Sequence, residues 1–221
     1  MNIRHHVSDT LLAAYATGDL AEGWSLAVAT HLSLCPECRK RLAKFEAVAA
    51  DMMEALPAEA DVSGSWDAMK ARLAGSDAGV ALPPEKTVSK PVASPVLPEP
   101  LRSYVGGDAK ALKWKPLGRG AYQVQIPTRD EETTVRLLRI PAGRPVPEHS
   151  HGGRELTLVL AGSFSDEQGR FARGDLEEAD EDLQHQPVAG SEEDCICLAV
   201  TDAPLRFSSR FLRIVQPILG I

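Results

Sequence analysis

Long hydrophobic runs are missing from this chain of 221 residues. No segment stays apolar over the roughly 18 residues that a membrane-spanning helix needs, and the N-terminal stretch MNIRHHVSDT lacks the apolar core of a secretory signal peptide. We therefore expect a cytoplasmic protein without a membrane partner. Thiols stay reduced in that compartment, so we expect the four cysteines to be metal ligands or buried thiols rather than a disulfide framework.

An excess of basic charge is also missing. The chain carries 24 Lys and Arg residues against 31 Asp and Glu, which gives a formal net charge of -7. Proteins that bind the phosphate backbone of nucleic acids need clustered Lys and Arg, so this composition argues against direct nucleic-acid binding. Hydrophobic residues make up 43% of the chain. That share is enough to form a core in one large domain or in two smaller ones.

Proline is concentrated in one segment, residues 75–103, which contains six prolines and shows no apolar periodicity. Because proline removes backbone donors and fixes φ, this segment is predicted to be an extended linker. It separates a first module, residues 1–74, from a second module, residues 104–221. Each module has a plausible size for a domain.

The first module shows the signals of about four helices. Ser8 can cap the first helix, and Gly18 can end it. The later helices are predicted, in chain order, over Glu22–Leu34, from Pro36 to about Leu56, and around Trp66–Leu73.

The second module has a different pattern. Short apolar runs, among them TTVRLLRI, LTLVLAG and CICLAV, are separated by Gly, Pro and Asp at intervals of about ten residues. This spacing is typical of an antiparallel β-barrel or sandwich. The predicted fold class is therefore two domains, α followed by β.

The first candidate site is the motif HLSLCPEC, in which His31, Cys35 and Cys38 are spaced H-x3-C-x2-C. Residues four apart on a helix have Cβ atoms about 5–6 Å apart, and one zinc ion at roughly 2.0–2.3 Å from each ligand atom can bridge that gap. Cys38 falls in the first turn of the next predicted helix, where the helix dipole favours the thiolate. A structural zinc site needs a fourth ligand. His5 and His6 are both candidates, and spacing does not choose between them.

Two other interpretations of Cys35 and Cys38 remain open at this point. A thioredoxin-like redox pair requires a preceding strand and a βαβ context, which this part of the sequence lacks. Thiols that merely pack in a helical core are the second alternative, because free cysteine is often buried.

The residues around this motif, IRHHVSD and ATHLSLCPECR, resemble the zinc-binding anti-sigma domain, and specifically that of the ChrR-type anti-sigma factors. The resemblance implies a structural Zn²⁺ ion on His6, His31, Cys35 and Cys38, and so it selects His6 over His5. It also implies a 1:1 complex with an extracytoplasmic-function-type sigma factor. In such a complex the helical module occludes the surfaces that sigma needs for RNA polymerase.

The second candidate site begins at Gly143, in GRPVPEHSHGGRELTLVLAG. Residues two apart on a strand share a face, so His149 and His151 can both point into a barrel, and Glu155 can join them after a short turn. A carboxylate beside two imidazoles suits Zn, Fe, Mn or Ni. The alternative is a polar loop that carries these three side chains by chance.

This second stretch resembles the first conserved motif of the cupins, small β-barrels that often hold a metal on three histidines and a glutamate. The segment GDLEEADEDLQHQPVA resembles the second cupin motif and implies His185 as the last ligand. Asp180, Asp182 and Ala189 depart from the Pro, Gly and Asn that are usual in the family. The acidic run from Asp175 to Asp182 is otherwise expected to be a solvated turn.

Cys195 and Cys197 lie in CICLAV, a continuous apolar run that suits a buried strand. Alternation places both on one face with their Cα atoms about 6.6–6.8 Å apart, at the limit for a disulfide. We interpret them as core thiols. A role in sensing oxidants is the alternative, and it would need an exposed or activated thiolate.

The resemblance to the ChrR-type factors covers both modules, since it includes ELTLVL, CICLAV and TDAPLRF in the second. It implies a cytoplasmic anti-sigma factor, not an enzyme, whose cupin module serves the release of sigma in response to singlet oxygen or related oxidants. Zinc binding would then supply much of the folding free energy of the small helical module.

Two other functions compete with this interpretation. One is a metal-dependent cupin enzyme, a dioxygenase or isomerase with a regulatory helical zinc domain, because cupins host many functions. The sequence shows no convergent set of catalytic groups beyond the ligands themselves. The other is a DNA-binding regulator, which is disfavoured because residues 1–74 carry seven basic and ten acidic residues.

Overall fold

A computed structural model describes residues 2–57, 63–74, 95–118 and 120–207 of the chain. The helices in these ranges are α1 (Asp9–Thr17), α2 (Glu22–Leu34), α3 (Pro36–Glu54), α4 (Ser63–Ala74) and α5 (Leu101–Val105). The strands are β1 (Lys115–Gly118), β2 (Ala121–Ile126), β3 (Thr134–Ile140), β4 (His149–Ser150), β5 (Glu155–Ala161), β6 (Ser163–Asp166), β7 (Gly169–Ala172), β8 (Leu176–Ala179), β9 (Gln184–His185), β10 (Val188–Ala189), β11 (Cys195–Thr201) and β12 (Arg206–Phe207). None of the described helices has the length and apolar character needed to cross a membrane.

The first helices follow their local sequence signals. At the start of α1 the backbone N–H of Leu11 donates a hydrogen bond to the Ser8 hydroxyl, and Gly18 ends the helix with a left-handed φ of 75°. α2 has the predicted bounds, while α3 begins at Pro36 as predicted and ends slightly earlier than expected. The predicted helical N-terminal region is confirmed.

The second half of the chain forms an antiparallel β-sandwich, which confirms the predicted β architecture. Its largest sheet has the strand order β1-β2-β3-β11-β5-β8, and two three-stranded sheets have the orders β10-β6-β7 and β12-β4-β9. In the large sheet Leu137, Leu198 and Leu158 lie side by side on neighbouring strands. All three are completely buried, so this face of the sheet belongs to the main hydrophobic core.

α2 packs directly on that face of the large sheet. α2 is buried on nearly every side, because α1 and the sheet both cover it. At Gly23, near the start of α2, a Cβ atom would overlap Thr133 and Val135 of the barrel. Only glycine allows the helix and the sheet to approach this closely.

The domain boundaries of 1–74, 75–103 and 104–221 stay a prediction. The described residues within 1–46 and 95–221 form one compact unit, and those within 47–94 form another. The first group is a single unit because α1 and α2 share a hydrophobic core with the sheet. Residues 75–94 of the predicted linker lie outside the described residues.

The end of the predicted linker, residues 95–103, is packed rather than extended. Leu97 and Leu101 are completely buried, which removes two large apolar side chains from water. The carboxylate of Asp108 accepts hydrogen bonds from the backbone N–H groups of Val96 and Leu97, and Arg173 donates to the Val96 carbonyl. These contacts, which the proline content does not reveal, fix the segment to the barrel.

Candidate metal centres

Four side chains converge where α2 meets α3: His6, His31, Cys35 and Cys38. One ligand atom from each lies within 4.8 Å of the other three. His31 Nε2 is 3.2 Å from Cys38 Sγ, and His6 Nδ1 is 3.3 Å from Cys35 Sγ and 3.5 Å from Cys38 Sγ. Ligand atoms at the corners of a zinc tetrahedron are about 3.3–3.8 Å apart, given bonds of roughly 2.0–2.3 Å. The cluster therefore has the dimensions of a zinc site.

Local backbone structure explains this convergence. His31 lies in the last turn of α2, and Cys35 follows the helix in an extended conformation with φ of -106° and ψ of 101°. Pro36 then starts α3, so Cys38 lies in its first turn, where the Cys38 N–H donates to Cys35 Sγ over 3.4 Å. His6 reaches the other three from the segment that precedes α1.

The electrostatics of the cluster also fit a bound cation. Burial, helped by the neighbouring His6, lowers the pKa of His31 to about 4, so the ring is neutral and able to act as a ligand. Burial and the hydrogen bond with Cys35 raise the pKa of the Cys38 thiol to about 11. A buried thiol with this pKa becomes a thiolate only when a cation stabilises it. The four donors are therefore able to hold a metal ion together.

His5, the other candidate for the fourth ligand, lies elsewhere. Its ring packs on Phe171 with the ring centroids 4.2 Å apart, and its Nδ1 is 3.6 Å from Asp175 Oδ1. The structure thus brings His6 to the cysteines and places His5 against the barrel.

A second group of ligand atoms lies inside the barrel, where His149, His151 and His185 meet. β4 pairs with β9 so that His149 lies opposite His185. The Nε2 atom of His185 is 3.3 Å from both His149 Nε2 and His151 Nε2. All three side chains are buried, and their ligand atoms form a potential metal site.

Hydrogen bonds on the far side of two rings aim their Nε2 atoms at the centre of this group. His149 Nδ1 donates to the Pro147 carbonyl, and His185 Nδ1 donates to Asp166 Oδ2, each over 2.8 Å. Burial lowers the pKa of His149 and keeps that ring neutral. Converging imidazole lone pairs repel one another unless a cation lies between them, so this arrangement fits a divalent metal.

Glu155 lies beside the histidine group rather than within it. Its Oε2 atom is 3.3 Å from His151 Nδ1, and its Oε1 atom accepts a 2.8 Å hydrogen bond from the Thr157 hydroxyl. Burial alone would raise the pKa of Glu155, but His151 and His149 lower it. The structure therefore places a charged carboxylate next to the candidate metal centre.

Sequence reasoning missed two carboxylates that lie next to His185. Asp166 accepts its Nδ1 hydrogen bond, and Glu177 Oε1 is 3.6 Å from the same nitrogen. Burial raises the pKa of Glu177 to about 7. Burial alone would lower the pKa of His185, yet the nearby carboxylates of Glu177 and Asp166 raise it to about 9. The two groups thus stabilise positive charge at this ring, as carboxylates adjacent to metal-binding histidines do.

The acidic run from Asp175 to Asp182 is not wholly the solvated turn that the sequence predicts. Asp175 and Glu177 are only 2% and 3% exposed. The Asp175 carboxylate accepts hydrogen bonds from the backbone N–H groups of Arg4, His5 and Ala172, at 2.6, 2.9 and 2.8 Å. These hydrogen bonds replace the water that the buried carboxylate loses. Burial alone would raise the pKa of Asp175, but the hydrogen bonds lower it below its usual value.

β8 connects the two candidate metal centres. The Leu176 N–H donates to the His5 carbonyl over 3.2 Å, and the Ser8 N–H donates to Glu178 Oε1 over 2.7 Å. These contacts hold the chain on both sides of His6. Glu177 of the same strand lies beside His185 inside the barrel. A direct structural path therefore joins the centres, where the sequence predicts only a tether.

Cys195 and Cys197 are buried on β11, as their interpretation as core thiols requires. Their Sγ atoms are 3.4 Å apart and are not bonded to each other. The hydrogen bond with Cys195, together with burial, raises the pKa of the Cys197 thiol. The Cys197 thiol is therefore protonated at neutral pH.

Comparison with known proteins agrees with this architecture. A family model described as the ChrR cupin-like domain matches residues 103–204. The anti-sigma-E factor ChrR of Cereibacter sphaeroides is 48% identical over 225 residues, with 100% of each chain covered. This chain belongs to the ChrR family of anti-sigma factors. Membership of the ChrR family confirms the resemblance seen in the sequence, and it places the chain among regulators rather than enzymes.

A solved ChrR structure is similar across most of the chain. It is the crystal structure of Rhodobacter sphaeroides SigE in complex with the anti-sigma ChrR, and it matches with 47% identity and a TM-score of 0.78. The match covers 91% of this chain and 100% of the other. The helical region followed by a cupin barrel is thus an arrangement that ChrR proteins share.

Proposed function

We propose that this chain is a cytoplasmic anti-sigma factor that binds an extracytoplasmic-function-type sigma factor in a 1:1 complex. It holds sigma away from RNA polymerase and releases it when singlet oxygen or a related oxidant acts on the barrel. The helical region, residues 1–74, is the proposed sigma-binding module. Its excess of acidic residues favours a protein partner over nucleic acid.

The observation that carries this proposal is a set of exposed apolar side chains on two helices of a chain related over its full length to ChrR. On α3, the side chains of Val48 and Met52 are 59% and 68% exposed. On α4, three further apolar side chains are 53–63% exposed, those of Trp66, Met69 and Leu73. Within each helix these positions recur at helical spacing and form an apolar stripe. Contiguous exposed apolar side chains mark interaction sites on protein surfaces. The related ChrR forms a complex with the sigma factor SigE.

We assign Zn²⁺ to the cluster of His6, His31, Cys35 and Cys38, because two thiolates and two imidazoles are typical ligands of structural zinc. This ion would stabilise the segment before α1 and the junction between α2 and α3. The barrel site of His149, His151, His185 and Glu155 is assigned to Zn²⁺ or another divalent metal such as Fe, Mn or Ni. Three histidines beside a cavity leave room for an open coordination position.

The proposed route of the response runs through β8. An oxidant that changes the position of the His185 ring also changes its contact with Glu177, whose Oε1 atom lies 3.6 Å from His185 Nδ1. The adjoining residues Leu176 and Glu178 hold the chain around His6 by hydrogen bonds. A displacement of β8 therefore reaches the zinc cluster without passing through residues 75–94.

Co-expression of the full chain with each extracytoplasmic-function-type sigma factor of its own organism tests sigma binding. We expect one stoichiometric complex. The double substitution Trp66→Asp and Met69→Asp should weaken it by roughly 100-fold or more, because it removes two apolar contacts and buries two charges. Affinity is measured by isothermal titration calorimetry.

The matched control is Asp67→Asn, an exposed position on the same helix, which should leave the affinity unchanged. If the unmodified chain binds none of these sigma factors, or if the Trp66 and Met69 variant binds as tightly as the control, the proposal is wrong.

A further inference from the structure

A cavity of about 490 Å³ lies inside the barrel next to the histidine group. Its volume falls within the range of about 300–1,000 Å³ that small-molecule sites occupy. Sigma binding, proposed above for α3 and α4, makes no use of this space.

One end of the cavity has an apolar wall. β3 contributes Leu138 and Ile140, and the register of β11 places Cys197 and Cys195 directly beside them. The two thiols are hydrogen-bonded to each other, with their Sγ atoms 3.4 Å apart. Phe164 packs in the same cluster and also lines the cavity. An apolar molecule that fills this end gains free energy because its surface leaves water.

The buried charges of the cavity wall already lie beside opposite charges. Arg136 and Glu155 both line the cavity, and the Glu155 charge opposes the lowering of the Arg136 pKa by burial. On β8, Glu177 lies with its Oε1 atom 3.6 Å from His185 Nδ1. An anionic ligand would therefore lie next to two carboxylates. A cationic ligand would lie next to Arg136 and the histidine group.

Arg144 is the other arginine among the described residues of the wall. It lies between β3 and β4 and is exposed. Water solvates such a charge, so an ion pair there contributes little. The described part of the wall thus favours a ligand without charge of either sign.

The other end of the cavity is polar and reaches the surface. Along the same face of β3 and β11, the row of Leu138 and Cys197 is separated by one row from the pair Thr134 and Thr201. Both threonines line the cavity, and Thr134 is exposed. A hydroxyl group donates and accepts hydrogen bonds, so these side chains offer partners to a neutral polar group.

We propose that this cavity binds a neutral aliphatic alcohol, a ligand of the fatty-alcohol class. The alkyl chain lies against Leu138, Ile140 and Phe164, and the hydroxyl group lies near Thr134 and Thr201. An ionised head group of the same length is disfavoured, because its burial costs hydration that the paired charges of the wall do not replace.

Binding of 1-decanol to the metal-loaded full chain tests this proposal by isothermal titration calorimetry. We expect one decanol per chain. Decanoate and decylammonium have a similar alkyl length but opposite charges, and each should bind at least tenfold more weakly. The shorter 1-hexanol should also bind at least tenfold more weakly, because it buries less apolar surface. A tenfold ratio corresponds to about 1.4 kcal/mol. This readout does not involve sigma, so it stands or falls separately from the proposed function.

The substitution Ala199→Phe fills the cavity between its two ends, because Ala199 lines the cavity opposite Arg136 and Thr157. It should weaken decanol binding at least tenfold. Ala111→Phe is the matched control, because Ala111 is exposed and lies outside the wall, and it should leave the affinity unchanged.

Three results would overturn the proposal: no decanol binding by the unmodified chain, a charged analogue that binds as tightly as decanol, or normal decanol binding by a folded Ala199→Phe protein. Should that variant not fold, the comparison of the ligands on the unmodified chain decides the matter.

Discussion

Replacing both Cys35 and Cys38 by serine should abolish zinc binding at the helical site and sigma binding with it. Both thiols are buried at the junction of α2 and α3, and a serine hydroxyl does not replace a thiolate as a zinc ligand. Structural zinc contributes roughly 10–16 kcal/mol in small zinc-dependent folds, which exceeds the stability of a small helical segment. The junction that sets the direction of α3 should then lose its fixed structure. Elemental analysis should find one metal ion fewer per chain, and sigma affinity should fall by at least about 100-fold.

A matched control exists within the same chain. Cys195 and Cys197 are also a pair of buried thiols, but they lie on β11, away from α3. Replacing both by alanine should leave the zinc content of the helical site and the affinity for sigma unchanged. If the Cys35 and Cys38 variant keeps its full zinc content, the assignment of ligands is wrong. If it loses zinc but still binds sigma normally, zinc does not shape the binding surface.

The second large effect is expected from His149→Ala combined with His151→Ala. This variant removes two of the three converging imidazoles, so the barrel should lose its metal and the full chain should hold one ion instead of two. Sigma binding should persist. α2 packs on the outer face of the large sheet, in a core that includes Leu137 and Leu158, and the histidines lie on the inner side.

His5→Ala is the control for metal content, because His5 contacts Phe171 and Asp175 and not a metal cluster. It should retain both ions. A double histidine variant that still holds two ions per chain would contradict the barrel site. A variant that cannot bind sigma at all would show that the barrel metal is needed for the helical region to fold.

Much of the fold could be predicted from the sequence because its signals are local. Ser8 and Gly18 delimit α1 through contacts with the first and last turns of the same helix. The runs LTLVLAG and CICLAV form β5 and β11, since continuous apolar runs suit strands that are buried on both faces. The run TTVRLLRI forms β3, where buried Val135 and Leu137 alternate with less buried residues. The sequence also indicated the side chains of both candidate clusters, from spacing and from resemblance, and the structure brings them together except for Glu155, which lies beside His151.

The remaining features depend on residues far apart in the chain. Asp175 looks like one acidic residue in a solvated run. Two of the three backbone N–H groups that compensate its burial belong to Arg4 and His5, about 170 positions earlier. Leu97 looks like a linker residue until Asp108 and the barrel enclose it. Contacts between residues so far apart in the chain follow no fixed sequence spacing, so a single sequence does not predict them. For the same reason the contact between β8 and the segment around His6 became visible only in the structure.

This contact changes how a signal would pass between the two modules. A strand that is hydrogen-bonded to the chain on both sides of His6, a candidate metal ligand, can displace it. Energetic coupling through such a path needs an element that both sites bias. β8 is the candidate for such an element, because Glu177 contacts His185 and its neighbours Leu176 and Glu178 contact the segment around His6.

The most direct test of the central claim is the release of sigma from the purified complex by singlet oxygen. The full chain and its labelled sigma partner are illuminated with a photosensitiser, and the bound fraction of sigma is followed by fluorescence anisotropy. Our account predicts that sigma dissociates from the unmodified chain and stays bound to the His149→Ala and His151→Ala variant. An unmodified complex that survives the exposure, or equal release from both proteins, would contradict it.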